Sequence, residues 1–444
     1  MLPAWIDQLA RSWLLLSTPV QYAVIVCAGV LGGALANHAI TTWCWNARPI
    51  SPWANWRAWI DPKREPNEEE VEAIGALERR KWTARLPIIG WLVRSDETTV
   101  FGAGFWIRPL LIELAVPVLF VLHYRYLLGG GLLPAPPALP VAVIAAVSPW
   151  MATIFVLHAC FLVLMTAATF IDFDERTIPD RITVPGTLLA LVAATLTPRV
   201  FLPGFAAGSL SPVLPPSPGT IADWWLGTAS LPLGLAIWTV WCFALLDRRV
   251  ILRKGLERAV AYFWARLFRS GSWRFILPMW LIGCVLITGV ARSGGTGWLG
   301  LVTSLVGLAV GGGIVWGIRL VASGAMQMEA MGFGDVTLMA MLGAAVGWQA
   351  ATIAFFLSPI AALFIVIVVW MITRDSQTPF GPYLCAGSIL TVVFWDDLYN
   401  EYAVGVIAMF GPNLVWFALF LLSALGGMLF VWRLLKERFL LSSR

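Results

Sequence analysis

Runs of about 20 apolar residues recur along this chain, and they constrain its fold more than any other feature of the sequence. A helix of about 20 residues is long enough to cross the roughly 30 Å hydrocarbon core of a bilayer. Charged residues make up only 12% of the chain, whereas a soluble domain carries about a quarter. The sequence therefore predicts an all-α polytopic membrane protein, a bundle of about 8–11 transmembrane helices with one cytoplasmic N-terminal loop domain.

Hydropathy and charge divide the chain into six segments. They are 1–45, an interfacial segment and the first span; 46–108, a polar loop domain; 109–220, membrane core with a first acidic loop; 221–297, an inserted pair of spans with a basic loop; 298–400, membrane core with a second acidic loop; and 401–444, the last span and a basic tail. The bias of Lys and Arg places 46–108, the basic loop and the tail in the cytoplasm. Counting spans from these anchors puts both acidic loops on the cytoplasmic face.

The basic loop, residues 247–274, carries eight Lys or Arg residues with aromatic and apolar residues between them. This pattern is typical of an amphipathic helix on an anionic leaflet, so we expect anionic lipids and no nucleic acid as its partners.

The six cysteines stand singly, and no Cys-x-x-Cys pair suggests a zinc site or a disulfide framework. His38, His123 and His158 lie in or beside apolar runs, so we interpret them as packed or interfacial residues and expect no metal site. The first residues lack the basic region and cleavage site of a signal peptide, so we expect none.

Two acidic loops border the apolar runs. The second, Glu329-Ala-Met-Gly-Phe-Gly-Asp335, contains two glycines that lack a Cβ, which lets the backbone bend and approach other chains closely. It brings Asp335 to the edge of the hydrocarbon, where an ionisable residue is costly and indicates a functional site. We expect the first loop, residues 172–180, to be a turn between helices, because Pro179 interrupts a continuing helix.

Two carboxylates at one membrane face suggest a particular chemistry. If Asp172 and Asp335 come within a few ångströms of each other in a buried site, the pair shares one proton. One carboxylate can then take a proton from water while the other donates to a carbonyl oxygen, as in aspartic proteases. Asp174 and Asp180 are alternatives to Asp172 in the first loop, and Asp180 is expected to cap the following helix. Glu329 either lines the entrance to the site or is a solvated loop acid.

Three elements, in order, resemble the type IV prepilin leader peptidases, which are Gly-x-Gly-Asp membrane aspartic proteases. The elements are Ile171-Asp172 with Pro179-Asp180 and Pro185 downstream, Glu329 to Asp335, and Pro379-Phe380-Gly381-Pro382-Tyr383. The resemblance implies that Asp172 and Asp335 are catalytic. It places six further residues in the active-site loops: Pro179, Asp180, Glu329, Gly332, Phe333 and Gly334.

The resemblance also implies a substrate and a location. The substrates would be type IV pilin-like or pseudopilin precursors, which lose a short basic leader by cleavage after a glycine. The enzyme would lie in the bacterial inner membrane with its active site facing the cytoplasm. Components of the pilus or type II secretion machinery would be further partners.

The chain departs from the family's pattern at several places. The paired cysteines that bind zinc in many members are missing from 46–108, so we expect no zinc. The family's second activity, N-methylation with S-adenosylmethionine, is associated with that domain, but no glycine-rich methyl-donor loop is evident. Proteolysis itself requires no cofactor. Thr337 stands where the family usually has lysine. The loss of that lysine would alter the working pH without removing the pair of aspartates. The inserted spans, 221–297, either bind lipid or a secretion partner or have no separate role.

Two other functions compete with an endopeptidase. One is an inactive scaffold in pilus or secretion assembly. The other is a proton-coupled transporter, although the sequence lacks acids deep within several spans and shows no evident inverted repeat. Proteases of the presenilin and signal-peptide-peptidase kind have Tyr-Asp and Pro-Ala-Leu elements, which differ from those of this chain.

Overall fold

The computed structural model describes residues 4–54, 71, 75, 80, 82–94, 97–134, 141–206, 209–215, 227, 229–246, 269, 271–328, 330–373 and 379–439. The helices within these ranges are α1 (Ala4–Leu14), α2 (Thr18–Thr42), α3 (Ile89–Leu92), α4 (Thr98–Phe101), α5 (Ile107–Leu128), α6 (Val141–Glu175), α7 (Asp180–Leu196), α8 (Ser230–Ala244), α9 (Trp273–Ser293), α10 (Gly295–Met326), α11 (Phe333–Thr373), α12 (Gly381–Val393), α13 (Val404–Phe410) and α14 (Leu414–Phe439). Two short strands, β1 (Pro203–Ala206) and β2 (Ser209–Pro212), form an antiparallel hairpin.

Seven helical stretches in the described part of the chain are long and apolar enough to cross a membrane. They include α2, α5, α6, α9, α10 and α11, and the last ends in α14. Two shorter apolar helices, α8 and α12, accompany them. The predicted class, an all-α polytopic membrane protein, is confirmed. Apart from residues 269 and 271–274, the predicted basic helix lies outside the described residues.

The first acidic loop begins later than predicted, because α6 continues to Glu175 and holds Asp172 in its last turns. Contacts from distant parts of the chain satisfy this polar helix end. Arg108 makes two hydrogen bonds to the Asp174 carboxylate, at 2.8 and 2.9 Å. The Glu175 carboxylate accepts the backbone N–H groups of Trp45 and Asn46, at 2.6 and 2.7 Å. The actual turn is therefore residues 176–179.

Residues 333–373 form one helical stretch, α11. Its backbone leaves the helical conformation at Gly347, where φ is 85° and ψ is 165°. A residue with a Cβ rarely adopts this φ, so glycine determines where the break lies. At the other end, α11 begins at Phe333, so Asp335 lies in the first turn of a helix and not on a flexible hinge.

Glycines bring α10 and α11 into backbone contact. An ideal Cβ on Gly307 would lie 2.0 Å from the Gly343 carbonyl oxygen, and one on Gly343 would lie 2.1 Å from the Gly307 carbonyl oxygen. A Cβ on Gly311 would lie 2.5 Å from the carbonyl oxygen of Met339. Helix α7 packs against both helices. The start of α11 is thus held on a closely packed helix pair.

The end of the bundle opposite the two aspartates is closed by the β1–β2 hairpin and aromatic side chains. Trp395, which follows α12, stacks on Tyr399 with ring centroids 4.5 Å apart. Its indole Nε1 donates to the Pro203 carbonyl oxygen at 2.6 Å. The hairpin thus adds regular structure between α7 and α8.

A buried charge cluster holds together the described part of the loop domain. The Glu97 carboxylate accepts hydrogen bonds from Arg94 at 2.9 Å and from Arg80 at 2.8 Å. The side chains of Arg80, Arg94 and Glu97 are 9%, 1% and 4% exposed. Burial alone would raise the pKa of Glu97, but the hydrogen bonds from Arg94 and Arg80 outweigh burial and hold that pKa below its usual range.

Candidate active site

Asp172 lies near the end of α6 and is only 4% exposed. Its Oδ2 accepts a hydrogen bond from the backbone N–H of Gly381 at 2.9 Å. Gly381 is the first residue of α12, so the carboxylate also lies at the positive end of that helix dipole. Both the amide donor and the dipole stabilise negative charge on Asp172.

Gly381 also provides the space that the Asp172 carboxylate occupies. An ideal Cβ at this position would lie 2.5 Å from Asp172 Oδ2 and 2.8 Å from Ile178 Cδ1. Sequence reasoning recorded Gly381 only as part of a motif and assigned it no role in the site. A glycine next to a proline indicates a helix start, but it does not reveal what the glycine faces.

Asp335 lies in the first turn of α11 and is 7% exposed. Its carboxyl group is hydrogen-bonded to the backbone of Gly332, and the charge of Asp172 acts on it. The Cys385 thiol of α12 interacts electrostatically with both aspartates. The structure therefore brings together the two residues that the sequence singled out. Their catalytic role stays a prediction.

Ile178, in the turn after α6, contacts both halves of the site. An ideal Cβ on Gly334 would lie 2.9 Å from the Ile178 backbone nitrogen and 3.0 Å from its Cβ. The Ile178 side chain reaches the other half at Gly381 and is 6% exposed. The second glycine of Gly-Phe-Gly-Asp is thus required for a close approach, as the sequence suggested, but it lies within α11 and not at a bend.

The loop before Asp335 is held from α10. Arg319 donates from Nε to the Met331 carbonyl oxygen at 2.8 Å, and its guanidinium lies 5.7 Å from the centre of the Phe333 ring. Thr337 is 3% exposed, and its hydroxyl donates to the Gly334 carbonyl oxygen at 3.0 Å. The threonine that replaces the family's usual lysine is therefore bonded within its own helix. Glu329 lies outside the described residues.

The other acids of the first loop lie apart from the pair. Asp174 is 47% exposed and is bound to Arg108. Asp180 is exposed and is the first residue of α7. The prediction that Asp180 caps this helix is wrong, because the extended residue Pro179 takes the cap position and no side-chain capping bond forms.

The described residues contain no group of three or more His, Cys, Asp or Glu side chains that could hold a metal ion. His38 Nδ1 is 3.0 Å from Ser51 Oγ. His123 Nε2 is 3.0 Å from His158 Nδ1, so these two rings are hydrogen-bonded to each other. All three histidines are engaged with protein groups, as the sequence interpretation expected.

Residues 273–367 match the model of the type IV leader peptidase family. This match covers 95 of the 444 residues. The match begins in α9 and contains Asp335 with its two glycines. Asp172 and Gly381 lie outside the matched residues, and only the folded chain brings them to Asp335.

Curated proteins similar to this chain carry the name prepilin leader peptidase/N-methyltransferase. The protein from Pseudomonas putida is 31% identical over 116 residues, which is 23% of this chain and 40% of that protein. The protein from Aeromonas hydrophila is 30% identical over 109 residues, 24% of this chain and 38% of that protein. The protein from Legionella pneumophila is 35% identical over 75 residues, 16% of this chain and 26% of that protein. The chain thus spans at most 40% of the length of these three relatives. No solved structure matches.

Proposed function

We propose that this protein is a membrane-embedded aspartic endopeptidase that removes the basic leader from type IV pilin-like or pseudopilin precursors, cutting after a glycine. The observation that carries the proposal is the burial of Asp172 and Asp335 in one electrostatically coupled pair at the ends of two helices. The match to the model of the type IV leader peptidase family and the names of the relatives point to the same reaction class.

The two carboxyl groups would have different roles. Asp172 receives the Gly381 amide and the α12 dipole, so it suits the carboxylate that takes a proton from water. Asp335 would hold the shared proton and donate it to the carbonyl oxygen as the water oxygen attacks the carbonyl carbon. Proton transfer to the amide nitrogen then accompanies cleavage of the C–N bond. This reaction uses only water and the two carboxyl groups.

We further propose that the site faces the cytoplasm from the inner membrane of a bacterium. Arg108, Arg319 and Arg433 lie at the aspartate end of the bundle, and Arg433 is bonded to the Ala325 carbonyl oxygen near the end of α10. Basic residues accumulate on the cytoplasmic side of membrane proteins, which supports this orientation. Anionic lipids beside residues 247–274 and components of a pilus or secretion machinery are the further partners that we propose.

Co-expression with a pilin-like precursor tests the proposal. Asp172→Asn and Asp335→Asn should each reduce the rate of processing by at least about 100-fold, because each removes one acid–base group. Asp397→Asn is the control, since it changes the same chemical group at an exposed position at the opposite end of the bundle. Undiminished processing by either of the first two variants would reject the proposal. Normal pilus or secretion assembly with Asp335→Ala would favour the scaffold.

A further inference from the structure

Segment 86–93 of the loop domain is bonded to a membrane helix well inside the end of that helix. The backbone N–H of Ile88 donates to Oε2 of Glu113 on α5, a residue that is 2% exposed. Glu113 is six residues beyond Ile107, where α5 begins. At a rise of about 1.5 Å per residue, this bond lies roughly 9 Å inside the start of the helix.

A second contact, with α2, gives a similar depth. Leu86 and Pro87 line a cavity of about 10 Å³ together with Ala34 of α2. Ala34 is eight residues before Thr42, the last residue of α2, which corresponds to roughly 12 Å. The end of α2 and the start of α5 both lie at the aspartate end of the bundle. Segment 86–93 therefore penetrates from that end towards the middle of the bundle.

The backbone of the segment is satisfied by protein groups. Four N–H groups donate to backbone carbonyl oxygens at 2.7–3.3 Å: those of Leu86, Ile89, Gly90 and Trp91. The N–H of Ile88 donates to Glu113, and Pro87 has no N–H. A solvated turn can leave such groups to water, whereas non-helical backbone at membrane depth must find partners in the protein. The hydrogen bonding of residues 86–91 is that of a segment at membrane depth.

The bond to Glu113 fixes a strained turn. Ile88 has a φ of 62° and a ψ of −62°, a conformation that a β-branched residue rarely adopts. Strain of this kind persists only where the surroundings hold it. The Glu113 carboxylate provides such a hold, because the Asn37 side chain of α2 donates to its other oxygen at 3.1 Å. Glu113 thus joins the segment to both membrane helices.

The outward side of the segment is apolar. Four side chains, spaced three or four residues apart around α3, are exposed: Leu86, Ile89, Leu92 and Val93. This spacing places them on one side of the turn. Trp91 faces the other way, is 2% exposed and lies against the guanidinium of Arg94. Over the same depth, α5 exposes Leu111 and Leu114.

We propose that segment 86–93 enters the leaflet on the aspartate side of the membrane, where its four exposed apolar side chains contact lipid acyl chains. Interfacial segments bury their apolar side roughly 5–10 Å into the boundary between head groups and acyl chains, and this depth agrees with that of the segment. Trp82, which is 74% exposed, and Arg85 precede the segment, as expected at a membrane boundary. The proposal concerns how the loop domain is seated and does not depend on proteolysis.

Nitroxide accessibility in proteoliposomes tests the location. A spin label carried by a ketone-bearing unnatural residue leaves the native cysteines unchanged. At Ile89 it should be relaxed more strongly by oxygen, which partitions into hydrocarbon, than by a water-soluble nickel chelate. Leu111 of α5 is the reference for contact with lipid, and the exposed Ala47 of the loop domain is the control for contact with water. A label at Ile89 that behaves as at Ala47 overturns the proposal, and so does one shielded from both reagents, because protein would then cover this side.

The anchor has its own test. Glu113→Ala removes the acceptor of the Ile88 N–H. It should shift the label at Ile89 towards the nickel chelate and leave the label at Leu111 unchanged, which also shows that α5 is still inserted. An unchanged label at Ile89 would overturn the role of Glu113 as the anchor.

A substitution within the apolar side tests the contact with acyl chains. Leu92→Asp should shift the label at Ile89 towards water, because a carboxylate is costly in hydrocarbon. Leu92→Ile is the matched control, since it keeps the volume and the apolar character of the side chain, and it should leave the label unchanged. On a solvated surface neither substitution would move the label, so equal behaviour of the two variants would overturn the proposal.

Discussion

Replacing Gly381 by alanine should impair catalysis through Asp172 without altering either aspartate. The added methyl group would lie 2.5 Å from Asp172 Oδ2 and 2.8 Å from Ile178 Cδ1. The new contacts are therefore with a carboxylate oxygen of Asp172 and with the residue that joins the two halves of the site. Because the carboxylate is also bonded to the amide of the altered residue, it cannot move away without losing this bond.

The size of the effect follows from these distances. To reach an ordinary contact of 3.4 Å, the carboxylate oxygen must retreat by about 0.9 Å, and misplacement by roughly 1 Å can cost about 100-fold in rate. Loss of a hydrogen bond to a charged acceptor costs about 1.5–3 kcal/mol, which corresponds to roughly 10- to 150-fold. We therefore expect kcat for precursor cleavage to fall about 100-fold.

The assay compares initial rates of precursor cleavage by purified enzyme in detergent or proteoliposomes. Gly313→Ala is the matched control, because an added Cβ there meets no atom within 4 Å in the same membrane core. It should keep the wild-type rate, since glycine within a helix gains stability when replaced by alanine. Both variants should be inserted in the membrane and folded at the temperature of the assay. Equal activity of Gly381→Ala and Gly313→Ala would refute the assigned role of Gly381.

Two further predictions concern other parts of the molecule. Gly334→Ala should abolish most cleavage, because its Cβ would lie 2.9 Å from the Ile178 backbone. Gly332→Ala should be nearly neutral, because the closest contact of its Cβ would be 3.6 Å, to Asp335. Equal cleavage rates for the two variants would contradict this reasoning. Glu97→Gln leaves Arg80 and Arg94 buried without a counter-charge and should destabilise the loop domain by about 3–5 kcal/mol, measured by limited proteolysis. The pKa of Glu97 is lowered in the folded protein, so the Glu97 carboxylate stabilises the fold above about pH 4.3. This stabilisation is lost as the pH falls further. Glu97→Gln should therefore lose this part of the protein's sensitivity to acid.

The sequence predicted the membrane class and the pairing of Asp172 with Asp335 because both depend on local patterns. Apolar runs indicate helices directly, and the motifs placed one carboxylate at each of two helix ends. The extent of α6 could not be predicted in this way. Its last turn is polar and therefore has the sequence pattern of a loop. Only the structure shows that Arg108 and the backbone of Trp45 and Asn46 bind the carboxylates of this turn.

The same limit applies to the residues that sequence reasoning missed. Gly381 and Ile178 act in the site through contacts with residues far away in the chain. His123 and His158 were predicted to be packed, but the hydrogen bond between their rings depends on how α5 and α6 pack together. Pattern alone gives residue types and spacing, and it does not give these neighbours.

The backbone contact between Gly307 and Gly343 has a consequence for how the proposed active site could admit a peptide substrate. No side chain separates α10 from α11 there, so no rotamer change can shift Asp335 relative to α10. The end of α6 that carries Asp172 is instead held by side chains. Arg108 of α5 binds the exposed Asp174, and the Glu175 carboxylate accepts the backbone N–H groups of Trp45 and Asn46. An exposed ion pair of this kind contributes only about 0–1 kcal/mol. Any movement that separated the two aspartates would therefore break side-chain bonds at the end of α6 before it disturbed the backbone contact of α10 with α11.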